Sequence, residues 1–168
     1  MSQTTLIVMG VSGCGKSTVA EAIADNLNAA FLDADSLHPP ENISLMASGV
    51  PLSDENRLPW LAIVRDYALR QNDGVLVIAC SALKKQYRDI LNEAPNVRYV
   101  FLSGSRTLIA ERMHERSGHF MPESLLNSQF EALESPVNEP FVVTVDIAPA
   151  PDRIAQNAIE LLNKSDYL

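Results

Sequence analysis

Three glycines, a lysine and a hydroxyl stand together in Gly10-Val11-Ser12-Gly13-Cys14-Gly15-Lys16-Ser17. The spacing fits G-x-x-x-x-G-K-[ST], between an apolar run, Thr5 to Met9, and a helix-periodic run, Lys16 to Leu27. Glycines let the backbone turn tightly and aim its N–H groups at phosphate oxygens. A helix starting near Lys16 adds unpaired N–H groups and the positive end of its dipole. The pattern predicts a loop holding the phosphates of ATP with Mg²⁺, spread over Gly10, Val11, Ser12, Gly13, Cys14, Gly15, Lys16, Ser17 and Thr18. Lys16 is the catalytic point charge for the β/γ oxygens, and Ser17 the hydroxyl for the metal. Cys14 has two readings: a thiol activated by the helix terminus and lysine, which also needs exposure, or a small residue filling a slot.

A second group is Asp33-Ala34-Asp35, at the end of an apolar run. In an extended segment, alternate residues face the same way, which would bring both carboxylates beside the phosphate loop. Asp33 is then assigned to the metal, and Asp35 to an acceptor hydroxyl whose proton it draws off. The alternative is that either aspartate caps the next segment. Arg112 and Arg116 are four apart on a helical stretch, where like charges repel unless an anion lies between them. With Ser117-Gly118-His119 after them, they predict a lid, about residues 112–130, that carries arginines over the phosphates. The alternative is a solvated face paired with Glu111 and Glu115. Lys84, Lys85 and Arg88 follow a third apolar run and are candidates for a substrate carboxylate or phosphate, or else a solvated helix face.

The elements that must position these groups alternate in type. Strands are expected at Thr5 to Met9, Ala30 to Leu32, Val75 to Ala79, Val97 to Leu102 and Phe141 to Val145. Helices are expected at Lys16 to Leu27, Pro40 to Ser48, Leu58 to Gln71, Lys84 to Glu93, Arg106 to Glu115, Pro122 to Glu134 and Asp152 to Asn163. Pro59 belongs in the first turn of its helix. Five strands separated by helices predict an α/β domain with a parallel sheet covered on both faces. Ligands in such sheets bind beyond the carboxyl ends of the strands, where these candidate residues fall.

Composition narrows the function classes. The chain has 168 residues, 46% of them hydrophobic, which suits one domain with a sizeable core. Its formal charge of −8 argues against a nucleic-acid partner. Two cysteines are too few for a disulfide scaffold. The longest apolar run is of strand length, and the N-terminus lacks a basic leader, so no membrane association and a cytoplasmic location are expected. There is no D-x-x-G switch after a strand, which argues against a GTPase.

The chain resembles the bacterial gluconate kinases of the phosphate-loop class along essentially its whole length. The matching stretches include Met9 to Gly13, Phe31 to Asp35, Leu37-His38-Pro39, Met46 to Gly49, Pro51 to Asp54 and Arg57 to Leu61. Cys80 to Leu91, Gly118 to Pro122 and Ser128 to Glu134 complete them. The resemblance implies ATP-dependent phosphorylation of D-gluconate at its 6-hydroxyl. It also implies a nucleoside-monophosphate-kinase-like fold with strand order 2-3-1-4-5, a lid, and a homodimer. Asp35 would face the hydroxyl. His38, Arg57, Lys84, Arg88 and His119 would contact the rest of the acceptor, within a substrate region of about residues 36–60 and beyond. The family often has Asp-Gly-Asp where Asp33-Ala34-Asp35 stands, lysine at Leu45 and aspartate at Asn56, so contacts from the Asn42 to Met46 helix are open. The rival readings are a kinase for another small acid, such as shikimate, or for a nucleoside monophosphate, and a nucleotide-binding regulator with no acceptor.

Overall fold

A computed structural model describes residues 3–115 and 123–168 of the chain, without the side chains of Glu123 and Ser124. The five expected strands are β1 (Gln3–Met9), β2 (Ala30–Asp33), β3 (Gly74–Ala79), β4 (Val97–Ser103) and β5 (Val142–Asp146). Every pairing is parallel, in the order β2-β3-β1-β4-β5. That order places β1 at the centre, with two strands on each side. The loop after β1 therefore opens where the chain's direction of winding reverses, the usual ligand crevice of such sheets.

The helices are α1 (Lys16–Leu27), α2 (Pro40–Ala47), α3 (Asp54–Leu69), α4 (Lys85–Leu91), α5 (Arg106–Glu115), α6 (Glu123–Ala132) and α7 (Pro151–Lys164). β1 is apolar throughout its second half because both its faces are covered. Leu6 and Val8 pack into one core with Val19, Ile23, Ile154 and Ala158 of α1 and α7. Ile7 and Met9 pack into the other with Trp60, Leu61 and Val64 of α3. Adjacent residues of a strand point to opposite faces, so one apolar run serves both layers.

Two local expectations change. α3 starts at Asp54, not Leu58, because Ser53 and Asn56 form a capping box: Asn56 N donates to Ser53 Oγ at 3.2 Å, and Ser53 N donates to Asn56 Oδ1 at 3.0 Å. Pro59 therefore lies inside the helix rather than in its first turn. The segment after β2 is not extended. Ala34–Leu37 is a 3-10 helix capped by Asp33, whose Oδ1 accepts from Asp35 N at 3.0 Å. The expected start at Pro122 lies outside the described residues. Among the described residues, no helix is long and apolar enough to cross a membrane.

Candidate active site

Three cavities run along the carboxyl edge of the sheet and share walls. The innermost, about 220 Å³, is lined by Ser12, Gly13, Gly15, Lys16, Ser17 and Thr18 on one side and by Asp33, Asp35 and Ser81 on the other. A larger cleft of about 500 Å³ shares Ser12, Asp35 and Ser81 with it and continues past His38, Arg57 and Lys84. The third, about 340 Å³, shares Gly13, Gly15 and Thr18 with the first and reaches Arg112 and Ala148 to Pro151. The three form a connected row, with Asp35 in the wall between the innermost cavity and the larger cleft.

The loop's glycines are required by its shape. A Cβ on Gly13 would lie 2.5 Å from Met113 Sδ, and the residue's φ is +87°. Gly15 caps α1 in the left-handed region, at φ 90°. Its missing Cβ would meet nothing within 4 Å, so the backbone there faces open space that an anion can fill. Lys16 Nζ donates to Val11 O at 3.2 Å, folded back over the loop within reach of the cavity. Val11 and Cys14 contribute backbone, since both side chains are buried in the core. At 2% exposure the Cys14 thiol lacks the access that oxidant reactivity requires, which favours the slot-filling reading. Burial also pushes the Cys80 thiol, beside the same cavity, up to about 12, so it is no nucleophile at neutral pH.

Ser17 Oγ donates to Asp33 Oδ2 at 3.1 Å. Asp33 thus caps the 3-10 helix with one oxygen and meets the loop's hydroxyl with the other. A hydroxyl and a carboxylate are hard oxygen donors suited to Mg²⁺, which takes one or two protein ligands and completes its shell with phosphates and water. Among the described residues no group of three or more His, Cys, Asp or Glu could hold a metal, so a metal ion here would rest largely on the nucleotide.

Asp35 is set by its neighbours. Asn42 Nδ2 approaches His38 Nδ1 at 3.1 Å and donates to Asn56 O at 3.1 Å. With Nδ1 as acceptor, the ring proton sits on Nε2, which faces Asp35 Oδ1 at 3.5 Å. Trp60 stacks on the imidazole with centroids 4.1 Å apart and anchors its own indole N–H on Ala34 O at 2.8 Å. The hydrogen bond from His38 holds the Asp35 carboxyl below its ordinary value of 3.8. Desolvation by the surrounding cleft walls opposes this, although the side chain itself is 81% exposed, and the charge of Lys16 reinforces it. Asp35 is therefore ionised at neutral pH. His38→Ala removes the main depressing influence, so the Asp35 pKa should rise and the carboxylate protonate at higher pH. The expected result is an acid limb of kcat/KM shifted to higher pH; an unmoved limb would show that His38 does not set the ionisation of Asp35.

The far wall of the acceptor cleft holds two cations in different states. Lys84 Nζ is bound to Asp54 at 3.0 Å, and Tyr87 Oη also donates to Asp54. Arg57 donates to Tyr87 Oη at 3.2 Å and pairs with no carboxylate among the described residues. Asp54 is held ionised, down to about 2, by the Tyr87 and Lys84 hydrogen bonds. The cleft therefore presents a neutralised lysine and an available guanidinium.

Comparison with known proteins agrees with this layout. The sequence family described as an AAA domain matches residues 6–139. The thermosensitive gluconokinase of Escherichia coli (strain K12) is 49% identical over 151 residues, covering 88% of this chain and 81% of that protein. The thermoresistant gluconokinase of the same organism is 45% identical, covering 94% and 93%. The crystal structure of a gluconokinase from Sinorhizobium meliloti 1021 superposes with a TM-score of 0.89 at 47% identity, covering 96% and 93%. The chain belongs to the gluconokinase family.

In this gluconokinase-family chain one expected acceptor contact is corrected. Arg88 is completely buried and faces away from the cleft. Its guanidinium donates to Glu139 Oε1 and Oε2 at 2.9 and 2.6 Å and to the carbonyls of Ala82, Leu83 and Glu134. Every N–H is used, so it is a structural clasp rather than a substrate ligand. Arg112 donates to Ala148 O at 2.9 Å and lines the third cavity, together with Gly13, Gly15 and Thr18 of the phosphate loop. Arg116 and His119 lie outside the described residues. Sequence reasoning missed Asp54, and it missed Gln129, whose Oε1 accepts from Ser12 N and Oγ, both at 3.2 Å. Asn56 at the family's aspartate position serves the α3 capping box.

Proposed function

We propose that this chain transfers the terminal phosphoryl group of ATP to the 6-hydroxyl of D-gluconate, giving 6-phospho-D-gluconate and ADP. The carrying observation is that ionised Asp35 lies in the wall shared by the phosphate cavity and the acceptor cleft. Gluconokinase relatives supply the acceptor's identity. Bound ATP with Mg²⁺ would supply the phosphoryl group and neutralise part of its charge.

The chain's own residues do the positioning, which is most of phosphoryl-transfer catalysis. The backbone of Gly10 to Ser17 orients the phosphates, and Lys16 offsets charge at the β/γ oxygens. Ser17 and Asp33, hydrogen-bonded to each other, would hold the metal with their hard oxygens. Asp35 accepts the hydrogen bond of the 6-hydroxyl and takes its proton as the new P–O bond forms. His38 orients Asp35. Arg57 binds the acceptor carboxylate, while Lys84, already neutralised by Asp54, offers its remaining N–H to acceptor hydroxyls. Arg112 supports the nucleoside side, with Ala148 to Pro151 as neighbours of the base. Arg116 and His119 belong to the lid in this reading. A cytoplasmic homodimer accords with the family resemblance, and sedimentation analysis tests the dimer.

The function is tested by ADP release over gluconate, other aldonates, shikimate and nucleoside monophosphates. Turnover with gluconate at low millimolar concentration is expected; turnover with another acceptor and none with gluconate overturns the reading. Arg57→Ala should raise KM for gluconate by about 10–100-fold, the range of a lost charge-assisted contact, and leave KM for ATP unchanged. An unaltered gluconate KM would remove Arg57 from the acceptor site.

A further inference from the structure

The stretch Ser128 to Glu134 has no chemical role in the mechanism above. Much of it is anchorage. Glu134 N donates to Leu83 O at 2.8 Å, and Glu134 Oε1 accepts from Lys85 N at 2.7 Å. Phe130 and Leu133 pack partly buried against the core. Gln129 differs, because its partner is the phosphate loop itself. Its Oε1 accepts from both the backbone N–H and the hydroxyl of Ser12, 117 residues away in the chain.

Ser12 is on the seam of the site: it lines both the phosphate cavity and the acceptor cleft, whereas Gln129 lines only the cleft. A carboxamide oxygen thus occupies a loop N–H of the kind that binds phosphate oxygens, at the border across which a phosphoryl group has to pass. An anionic oxygen is a better acceptor than an amide carbonyl, with hydrogen bonds roughly twice as strong. The terminal torsion of glutamine is soft and roughly two-fold, so the amide can turn at little cost. The side chain carries two N–H donors as well as the oxygen.

We propose that Gln129 is a further phosphoryl-positioning residue, which caps Ser12 N–H while the nucleotide site is empty and turns its Nε2–H toward the terminal phosphoryl group when nucleotide is bound. The inference rests on the phosphotransfer reading, but it concerns the donor and not the acceptor. It makes α6 the element through which the acceptor cleft registers a loaded phosphate loop.

The test is calorimetric titration of wild-type, Gln129→Ala and Gln129→Glu proteins with Mg·ADP and with Mg·AMPPNP, alongside kinetics with gluconate. ADP affinity should stay within about twofold in all three, because ADP lacks the group that Gln129 contacts. Preference for AMPPNP over ADP should fall about tenfold in Gln129→Ala, and further in Gln129→Glu, where a carboxylate meets the phosphate. The kcat of Gln129→Glu should recover relative to wild type as pH falls toward about 5, where the introduced carboxyl begins to regain its proton and a donor. An unchanged AMPPNP-to-ADP preference in both variants overturns the proposal. Equal weakening of both nucleotides with a lowered Tm also overturns it, since that marks a merely structural contact. If the preference falls as expected but no protein phosphorylates gluconate, Gln129 stands and the acceptor assignment fails.

Discussion

Asp35→Asn should lower kcat with gluconate by about 10²–10⁴-fold, the usual contribution of a positioned acid or base, and leave nucleotide affinity nearly intact. The amide is isosteric and still accepts a hydrogen bond, so the acceptor hydroxyl keeps a partner. It can neither take the proton nor present the charge that polarises the O–H bond. The local fold should survive, because the cap of the 3-10 helix is made by the Asp33 carboxylate to Asp35 N, a backbone group that the substitution leaves in place. Nucleotide titration and steady-state kinetics on one preparation check this. Equal losses of ATP binding and turnover would contradict the assigned role, because Asp35 would then be holding the nucleotide site together.

Arg88→Ala should be the most destabilising substitution of a charged residue in this protein. It leaves the Glu139 carboxylate, only 23% exposed, and three carbonyls without their donor. Breaking a buried pair by removing one partner costs about 3–5 kcal/mol, a large share of the 5–15 kcal/mol typical of whole domains. For a chain of this size that lowers Tm by roughly 6–20 °C. Arg88→Lys should recover little, since an ammonium cannot reproduce the bidentate fork on Glu139 together with the carbonyl bonds. Lys85→Ala is the control: its exposed partner Asp89 is an i,i+4 surface pair, and Tm should hardly move. Thermal unfolding followed by circular dichroism gives the comparison. A near-native Tm in Arg88→Ala, combined with a raised KM for gluconate, would return Arg88 to the acceptor site.

The two arginines end in different surroundings. Arg57 and Arg88 are both positive residues in stretches shared with gluconate kinases, and both were expected at the acceptor. Arg57 faces the cleft. Arg88 turns inward because Glu139, 51 residues further on, closes beneath it with the carbonyls of the segment after β3. Nothing in the spacing of Lys84, Lys85 and Arg88 records that closure. Asp33 and Asp35 reach the phosphate loop as expected, but by a different route. Capping leaves room for the site reading, because one carboxylate has two oxygens: Asp33 accepts from Asp35 N with one and from Ser17 Oγ with the other. The α3 boundary is written in Ser53 and Asn56, whose capping box starts the helix at Asp54, whereas Pro59, a residue normal in a first turn, points to a later start.

By itself the sequence determined the phosphate loop, the alternation of strands and helices, and the placing of the chemistry at the carboxyl edge. Those follow from short-range rules: glycine's access to positive φ, strand and helix periodicities, and a lysine and hydroxyl fixed at the start of a helix. The resemblance to gluconate kinases supplied the strand order and the acceptor. Only the tertiary structure decided which cation is spent on Asp54, which is buried on Glu139 and which is left for an anion, and that Gln129 reaches Ser12. Long polar side chains find partners by distance in space, and the packing of α3, α4 and α6 against the sheet sets those distances.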